Sequence, residues 1–452
     1  MLRKSKSANK EYSQMQKIAV LGLGRSGLAA LRLALSNHIT AYAFDDNVEK
    51  LPAEFNNLYV HYSDWPWDEL DAVVFSPGIP TYLPEPHPAS LLSTKFMVPI
   101  ISDIELVIRL QPASKWIIIT GTNGKSTTTA LTAHILSSSG KNVAVGGNLG
   151  TSMAELKSPG FDGFRVVELS SYQLEITPSI NPDISAILNL SPDHLDRHGS
   201  MASYAAAKAE AVKNVKPDGL IILGNGANLL PLLPAKYECR LHLIKEDDTP
   251  NSIQQNFALS GPHNAENAAV AASICRYVGI KEEQIETAIL SFKGLPHRLE
   301  LVASCYVAGN QLRIINDSKA TNDAAAARAL SSFQPIFWCA GGLAKEPGLP
   351  NCKKELKHVK HAYLYGKSKK QFLSELSGLI PITLAESLEE ATCKAFAAAK
   401  NSSLQEGIDS FVLLSPAAAS FDTFGNFEER GTQFTNLAKK LCQQHLHSVE
   451  VY

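Results

Sequence analysis

The segment Trp116-Ile-Ile-Ile-Thr120-Gly121-Thr-Asn-Gly124-Lys125-Ser126-Thr127 decides how the rest of the chain is read. Its apolar run forms a strand, the two glycines make the turn, and Lys-Ser-Thr opens a helix. Such a turn aims backbone N–H groups at phosphate oxygens, and the helix dipole adds to the attraction. Gly121, Thr122, Asn123, Gly124, Lys125, Ser126 and Thr127 are therefore candidate ATP-binding residues. Lys125 is placed on the β- and γ-phosphates and the Ser126 hydroxyl on Mg2+. The leading glycine of the usual P-loop is absent, since the apolar run continues up to Thr120.

Short apolar runs alternate with helix-like segments on both sides of this motif, the pattern of parallel sheets with crossover helices. Upstream, Lys17 to Leu21 leads into Gly22-Leu-Gly24-Arg-Ser-Gly27. The run from Ile39 to Phe44 ends at Asp45-Asp46, and that from Asp71 to Phe75 at Ser76-Pro77-Gly78-Ile79. Downstream, strand ends fall at Glu168, Asn189, Leu223, Ile315, Cys339, Tyr365 and Leu414. The expected fold is α/β in three domains. These are a Rossmann-like domain over 18–110, a P-loop ATPase-like domain over 111–300 and a Rossmann-like domain over 301–452, behind a flexible basic tail over 1–17.

The composition narrows the function classes. The 42 basic and 44 acidic side chains nearly cancel, so no nucleic-acid partner is expected. Hydrophobic residues at 45% and charged ones at 19% suit a soluble globular protein. No apolar run reaches the roughly 18 residues that a membrane span needs, and the basic start lacks the apolar core of a signal peptide. Seven scattered cysteines without a CxxC suit a reduced compartment. A cytoplasmic enzyme without membrane contact, and a monomer, is expected.

Phosphoryl transfer needs its charge balanced by metal. Glu168 and His194, read as lying at the ends of buried strands of the P-loop domain, are the candidates, since α/β folds bind ligands there. The first loop, Gly22-x-Gly24-x-x-Gly27, suits a nucleotide diphosphate, with Asp45 or Asp46 on a ribose. That loop alone does not exclude an NAD-dependent dehydrogenase, although the latter would leave the P-loop unexplained.

With these residues in view, the chain from Ile18 onward resembles the ATP-dependent amide ligases that extend the muramyl peptide. The resemblance rests on Gly121–Thr127, Glu168-Leu-Ser-Ser-Tyr-Gln173, Asp193-His194-Leu-Asp196, Gly261-Pro-His-Asn264-Ala-Glu-Asn267 and His297-Arg298. Ser76-Pro-Gly-Ile79, Asn316-Asp-Ser-Lys-Ala-Thr-Asn322 and Ser415-Pro-Ala-Ala-Ala-Ser-Phe421 narrow it to the branch that adds D-glutamate.

The resemblance implies that ATP activates the carboxylate of UDP-N-acetylmuramoyl-L-alanine and that the amine of D-glutamate attacks the acyl phosphate. It places Lys125, Glu168, His194 and Lys208 in the catalytic centre, with two Mg2+ ions. The metal ligands would be Ser126, Glu168, His194 and Lys208, the last as a carbamate. Bare sequence reads Lys208 as a solvated helix lysine. Asn267, Arg298 and Asp317 match positions around ATP. Gly22, Gly24, Gly27, Asp45, Asp46, Ser76, Pro77, Gly78 and Asn148 match positions around the UDP substrate. Lys319, Thr321, Lys345, Ser415 and Phe421 match positions around D-glutamate. The sequence departs from some relatives at Asp45-Asp46-Asn47, where they carry Asp-Thr-Arg. A sibling ligase for another amino acid and an inactive nucleotide-binding relative are the alternatives.

Overall fold

The computed structural model describes residues 15–47, 51–111, 114–344, 348–445 and 449–451. The tail expected over 1–17 lies outside them as far as residue 14, as does Lys345. The described residues up to Ser252, with His263–Ile289, form one compact unit, and Ile253–Pro262 with the chain from Leu290 onward forms a second.

The first unit holds two parallel sheets. One has four strands in the order β2-β1-β3-β4: β1 (Lys17–Leu21), β2 (Thr40–Phe44), β3 (Ala72–Phe75) and β4 (Ile100–Ile101). Its helices are α1 (Arg25–Ser36), α2 (Pro88–Phe96) and α3 (Asp103–Leu110). The other has six strands: β5 (Lys115–Thr120), β6 (Val143–Gly147), β7 (Phe164–Glu168), β8 (Ile184–Ile187), β9 (Leu220–Leu223) and β10 (Arg240–Leu243). Its order is β10-β9-β8-β5-β7-β6, and its helices are α4 (Lys125–Ser138), α5 (Ser171–Glu175), α6 (Leu195–His198), α7 (Met201–Lys213), α8 (Pro262–Tyr277) and α9 (Glu282–Ser291).

Strands covered on both faces must be apolar throughout, which is why these read as unbroken runs. Ile117, Ile118 and Ile119 of β5 are fully buried, each such side chain contributing about 1.5–3 kcal/mol. From β5 the chain goes to the far edge at β6 and returns through β7 to β8 on β5's other side. The order reverses at β5, so a crevice opens above the end of that strand, where the P-loop lies. One core runs through both sheets, from Ile18 and Val20 to Ile118 and Val167. The Ser102 N–H, at the cap of α3, donates to the Ile176 carbonyl at 2.9 Å.

The second unit is built on seven strands in the order β15-β14-β13-β16-β12-β11-β17. They are β11 (Glu300–Val307), β12 (Asn310–Asn316), β13 (Ile336–Gly341), β14 (Val359–Tyr365), β15 (Ile382–Leu384), β16 (Ser410–Leu414) and β17 (Val449–Val451). Helices α10 (Asp323–Leu330), α11 (Lys369–Leu376), α12 (Leu388–Glu406) and α13 (Phe427–His445) accompany it. Alternate residues of β13 enter different cores, Trp338 one and Phe337 the other, so both faces are covered.

The uniform alternation expected of this part is corrected at one side, where β11 runs antiparallel to both β12 and β17. The cause is local: Ala308 and Gly309 sit at φ +50° and +87° between β11 and β12, the two-residue turn whose twist suits a hairpin. A hairpin needs no crossover helix.

Candidate active site

The P-loop joins β5 to α4. Gly124 caps α4 at φ +84°, and a Cβ there would collide with the Asn267 amide oxygen. Asn267, buried on α8, accepts from the Thr128 hydroxyl at 3.2 Å and donates to the Asn264 side chain at 3.1 Å. On the loop's other side, Asn189 follows β8. Its Oδ1 accepts from the Asn123 N–H at 2.8 Å and its Nδ2 donates to the Asn123 carbonyl at 3.1 Å. Thr122 Oγ1 lies 3.1 Å from Tyr204 Oη. The sequence marked Asn189 only as a strand end and gave no sign of Tyr204; two side chains that clamp a backbone leave no local pattern.

Two lysines converge on this loop. Lys125 Nζ donates to the carbonyls of Gly121 and Thr122, both at 2.9 Å, and Lys208 Nζ donates to the same Gly121 carbonyl at 2.8 Å. Lys208 is 1% exposed, which corrects its reading as a solvated helix lysine. Its ammonium lies 4.7 Å from the centre of the Tyr204 ring. Burial foremost, and then the Lys125 charge, bring the Lys208 pKa down to about 7, against the pull of Asp193 and Glu168.

Glu168 is the last residue of β7 and is buried. Its Oε1 accepts from Asn148 Nδ2 at 3.0 Å, while its Oε2 is buried without a hydrogen-bond partner. An orphaned carboxylate oxygen is costly unless a cation meets it. With the buried Ser126 on the first turn of α4, it fits Mg2+. Among the described residues no three His, Cys, Asp or Glu side chains gather closely enough to hold a metal by themselves. That suits an ion that keeps waters and takes phosphate oxygens as ligands.

His194 is not at a strand end. It caps α6 at φ +53°, beyond the end of β8, with its side chain 51% exposed. Its N–H donates to Asp193 Oδ1 at 3.1 Å, and its ring meets Tyr172 edgewise at 5.2 Å.

The first sheet carries a cleft of about 470 Å³ at the end of β1, lined by Gly22, Gly24, Asp45, Asp46, Ser76 and Gly78 among others. A Cβ on Gly27 would strike the Gly22 carbonyl, so only glycine lets α1 start this tightly. A Cβ on Gly24 would meet nothing within 4 Å, so the cleft side of the loop is open to a ligand. Asp45 anchors the loop, accepting from the N–H groups of Leu23 at 2.6 Å and Asn47 at 2.8 Å. Asp46 is the exposed acid of the pair.

In the second unit, Asp317 is buried and accepts from the Ser415 hydroxyl at 2.8 Å and the Leu299 N–H at 3.3 Å. Burial raises its pKa to about 7, against the pull of Ser415, Leu299, Arg298 and Arg328. Lys319 Nζ lies 3.8 Å over the Phe427 ring. Arg430, fully buried on α13, donates to the carbonyls of Ser318 at 2.8 Å and Ala418 at 3.0 Å. It thereby ties the Asn316–Asn322 and Ser415–Phe421 segments together; nothing in the sequence marks it. Thr321 is half-buried on the first segment, and Phe421 is 65% exposed on the second.

Residues 119–247 match the Mur ligase middle domain. Along the whole length, the chain is 38% identical to UDP-N-acetylmuramoylalanine--D-glutamate ligase of Agrobacterium fabrum, covering 93% of this chain and 94% of that one. The protein of the same name from Rhodopseudomonas palustris is 36% identical, covering 94% and 97%. The chain belongs to the Mur ligase family. Solved Mur ligases share its fold. UDP-N-acetylmuramate-alanine ligase of Thermotoga maritima gives a TM-score of 0.57 at 19% identity, covering 95% of this chain and all of that one. The MurF ligase of the same organism, solved with ADP, gives 0.56 at 14% identity, covering 96% and 97%. In this Mur ligase the matched middle domain contains the P-loop, Glu168, His194 and Lys208.

Proposed function

We propose that this Mur ligase uses ATP to join D-glutamate to UDP-N-acetylmuramoyl-L-alanine, in peptidoglycan precursor synthesis. The observation that carries this is the convergence of Lys125 and Lys208 on one carbonyl of a phosphate-binding loop, within electrostatic reach of a buried glutamate with an orphaned oxygen. That arrangement suits polyphosphate, metal and an activated carboxylate together. The names of the full-length relatives supply the substrates.

The carboxylate oxygen of the alanyl substrate attacks the γ-phosphorus and ADP leaves, giving an acyl phosphate. The D-glutamate nitrogen then attacks that carbonyl carbon, loses a proton, and expels inorganic phosphate. Here Lys125 and the N–H groups of the P-loop hold the ATP phosphates, and the half-exposed His194 orients the reacting carboxylate. Ser126, Glu168, His194 and a carbamate of Lys208 would hold Mg2+, which neutralises phosphate charge. The Lys208 amine, uncharged in part near neutrality, adds to CO2 and releases a proton to form that carbamate. Asn267, Arg298 and Asp317 serve ATP. The cleft at Gly22, Gly24 and Gly78, with Asn148, serves the UDP substrate in residues 18–110. Lys319, Thr321, Lys345, Ser415 and Phe421 serve D-glutamate in residues 301–452. Among the described residues no helix is long and apolar enough to cross a membrane, and dependence on ATP and a nucleotide-linked substrate supports a reaction in the cytoplasm.

The test is phosphate release from ATP and Mg2+ with UDP-N-acetylmuramoyl-L-alanine across a panel of amino acids. Release with D-glutamate alone, and an amide product of the right mass, is expected. Release with a different amino acid would keep the ligase chemistry and overturn the reading of the C-terminal pocket.

A further inference from the structure

Arg197 lies on α6, the short helix that His194 caps, and three contacts lead from it in two directions. Its guanidinium donates to the carbonyls of Gly78 at 3.2 Å and Ile79 at 2.7 Å. Those two residues line the nucleotide cleft of the first sheet. The same guanidinium lies 4.2 Å from the centre of the Tyr172 ring, and that centre lies 5.2 Å from the centre of the His194 ring, the two planes at 60°. Tyr172 also stacks on the buried His198 at 5.2 Å. The Nε2 of His198 is 2.8 Å from Ser171 Oγ, so the ring Arg197 rests against is itself fixed. All of these residues belong to the first unit.

A lysine could not do this. The planar guanidinium presents two N–H groups to two carbonyls while its central carbon lies over an aromatic ring, and an ammonium on a flexible stem does not do both together. The strained cap matters too. His194 sits in the left-handed region, a conformation that persists in a non-glycine residue only where its surroundings hold it.

We propose that Arg197 is a positioning residue which couples the nucleotide cleft to His194. When a nucleotide settles against Gly78 and Ile79, their carbonyls are fixed. Arg197 is thereby held on Tyr172, and Tyr172 sets the place of the His194 ring. Binding energy from the remote nucleotide end is then spent at the reacting carboxylate, so it appears in kcat and not only in KM. This inference rests on the ligase reading above.

The experiment compares two substrates: UDP-N-acetylmuramoyl-L-alanine and N-acetylmuramoyl-L-alanine without its nucleotide. Wild-type enzyme should show a kcat for the first exceeding that for the second. In Arg197→Met and Arg197→Lys that ratio should shrink roughly tenfold or more, as expected for a small misplacement of a reacting group. The loss should fall on the nucleotide-bearing substrate. A merely structural role would slow both substrates alike and leave the ratio where it was. An unchanged ratio in both variants overturns the proposal, and so does a wild-type enzyme with equal kcat for the two. Should Arg197→Met fail to fold, Arg197→Lys carries the test, since it keeps the charge and the stem. Absence of turnover by wild type with both substrates would overturn the ligase reading, and this inference with it.

Discussion

Lys208 and Lys125 share one acceptor, the Gly121 carbonyl oxygen, and two ammonium groups so placed repel each other. The structure relieves this by favouring the neutral amine on the more buried of the two. Lys208→Ala should lower turnover roughly a hundredfold or more, and short carboxylates in the buffer should restore part of it, which a phosphate-release assay would show. Undiminished turnover would remove Lys208 from the site. Asp317 makes the opposite kind of statement. Its folded pKa is about 7, above the 3.9 or so of an unfolded aspartate, so the native state binds more protons between those values. Stability therefore falls as pH rises from about 4 to about 7. Asp317→Asn should flatten that part of the curve of melting temperature against pH; a variant whose slope matches wild type would contradict the assignment. Neither shift is visible in sequence, because each depends on what lies around the residue and not on what adjoins it.

The elements that sequence shows plainly are those whose surroundings impose a pattern. β5, β7 and β9 are buried on both faces and read as apolar runs. The glycines at 121 and 124 read as a turn because the backbone must approach phosphate there. β4 is two residues long, and β6 ends in two glycines, so neither carries a signal. The β11–β12 hairpin hid for another reason: its turn is Ala308-Gly309, not the Asn-Gly that advertises such a bend. Ala308 is exposed and has φ +50°, so Ala308→Asn relieves strain without disturbing packing. It should stabilise the protein by about 0.5–1 kcal/mol, measured as a higher denaturation midpoint with an unchanged slope. Gly124→Ala should do the reverse, because its Cβ would collide with the amide oxygen of Asn267. That variant should bind ATP more weakly by titration calorimetry while the nucleotide cleft of the first sheet keeps its affinity.

The chain carries three α/β sheets, as the sequence reads, and the first two of them belong to one compact unit. The two N-terminal sheets share one core, while Ile253–Pro262 joins the second unit before α8 and α9 return to the first. An apolar run shows that a strand is buried but not against which neighbour, so this sharing was illegible in advance. It has a thermodynamic consequence. Trp65, Trp67 and Trp116 lie in the first unit and Trp338 in the second, so fluorescence can follow them apart. In a Trp338→Phe variant the remaining signal reports the first unit alone. The cleft proposed for UDP is lined wholly by that unit, and a ligand bound only by the native form stabilises it by RT ln(1 + [L]/Kd). At a hundredfold excess over Kd that is about 2.7 kcal/mol, so the fluorescence transition should move to higher temperature. Since the first two sheets share a core, replacing both Trp65 and Trp67 by Phe, which leaves Trp116 as the reporter, lowers the midpoint because two buried rings are lost but should leave the size of the UDP shift unchanged. A shift that vanishes with Trp65 and Trp67, leaving Trp116 reporting an unmoved transition, would mean that the first sheet melts independently of the P-loop sheet.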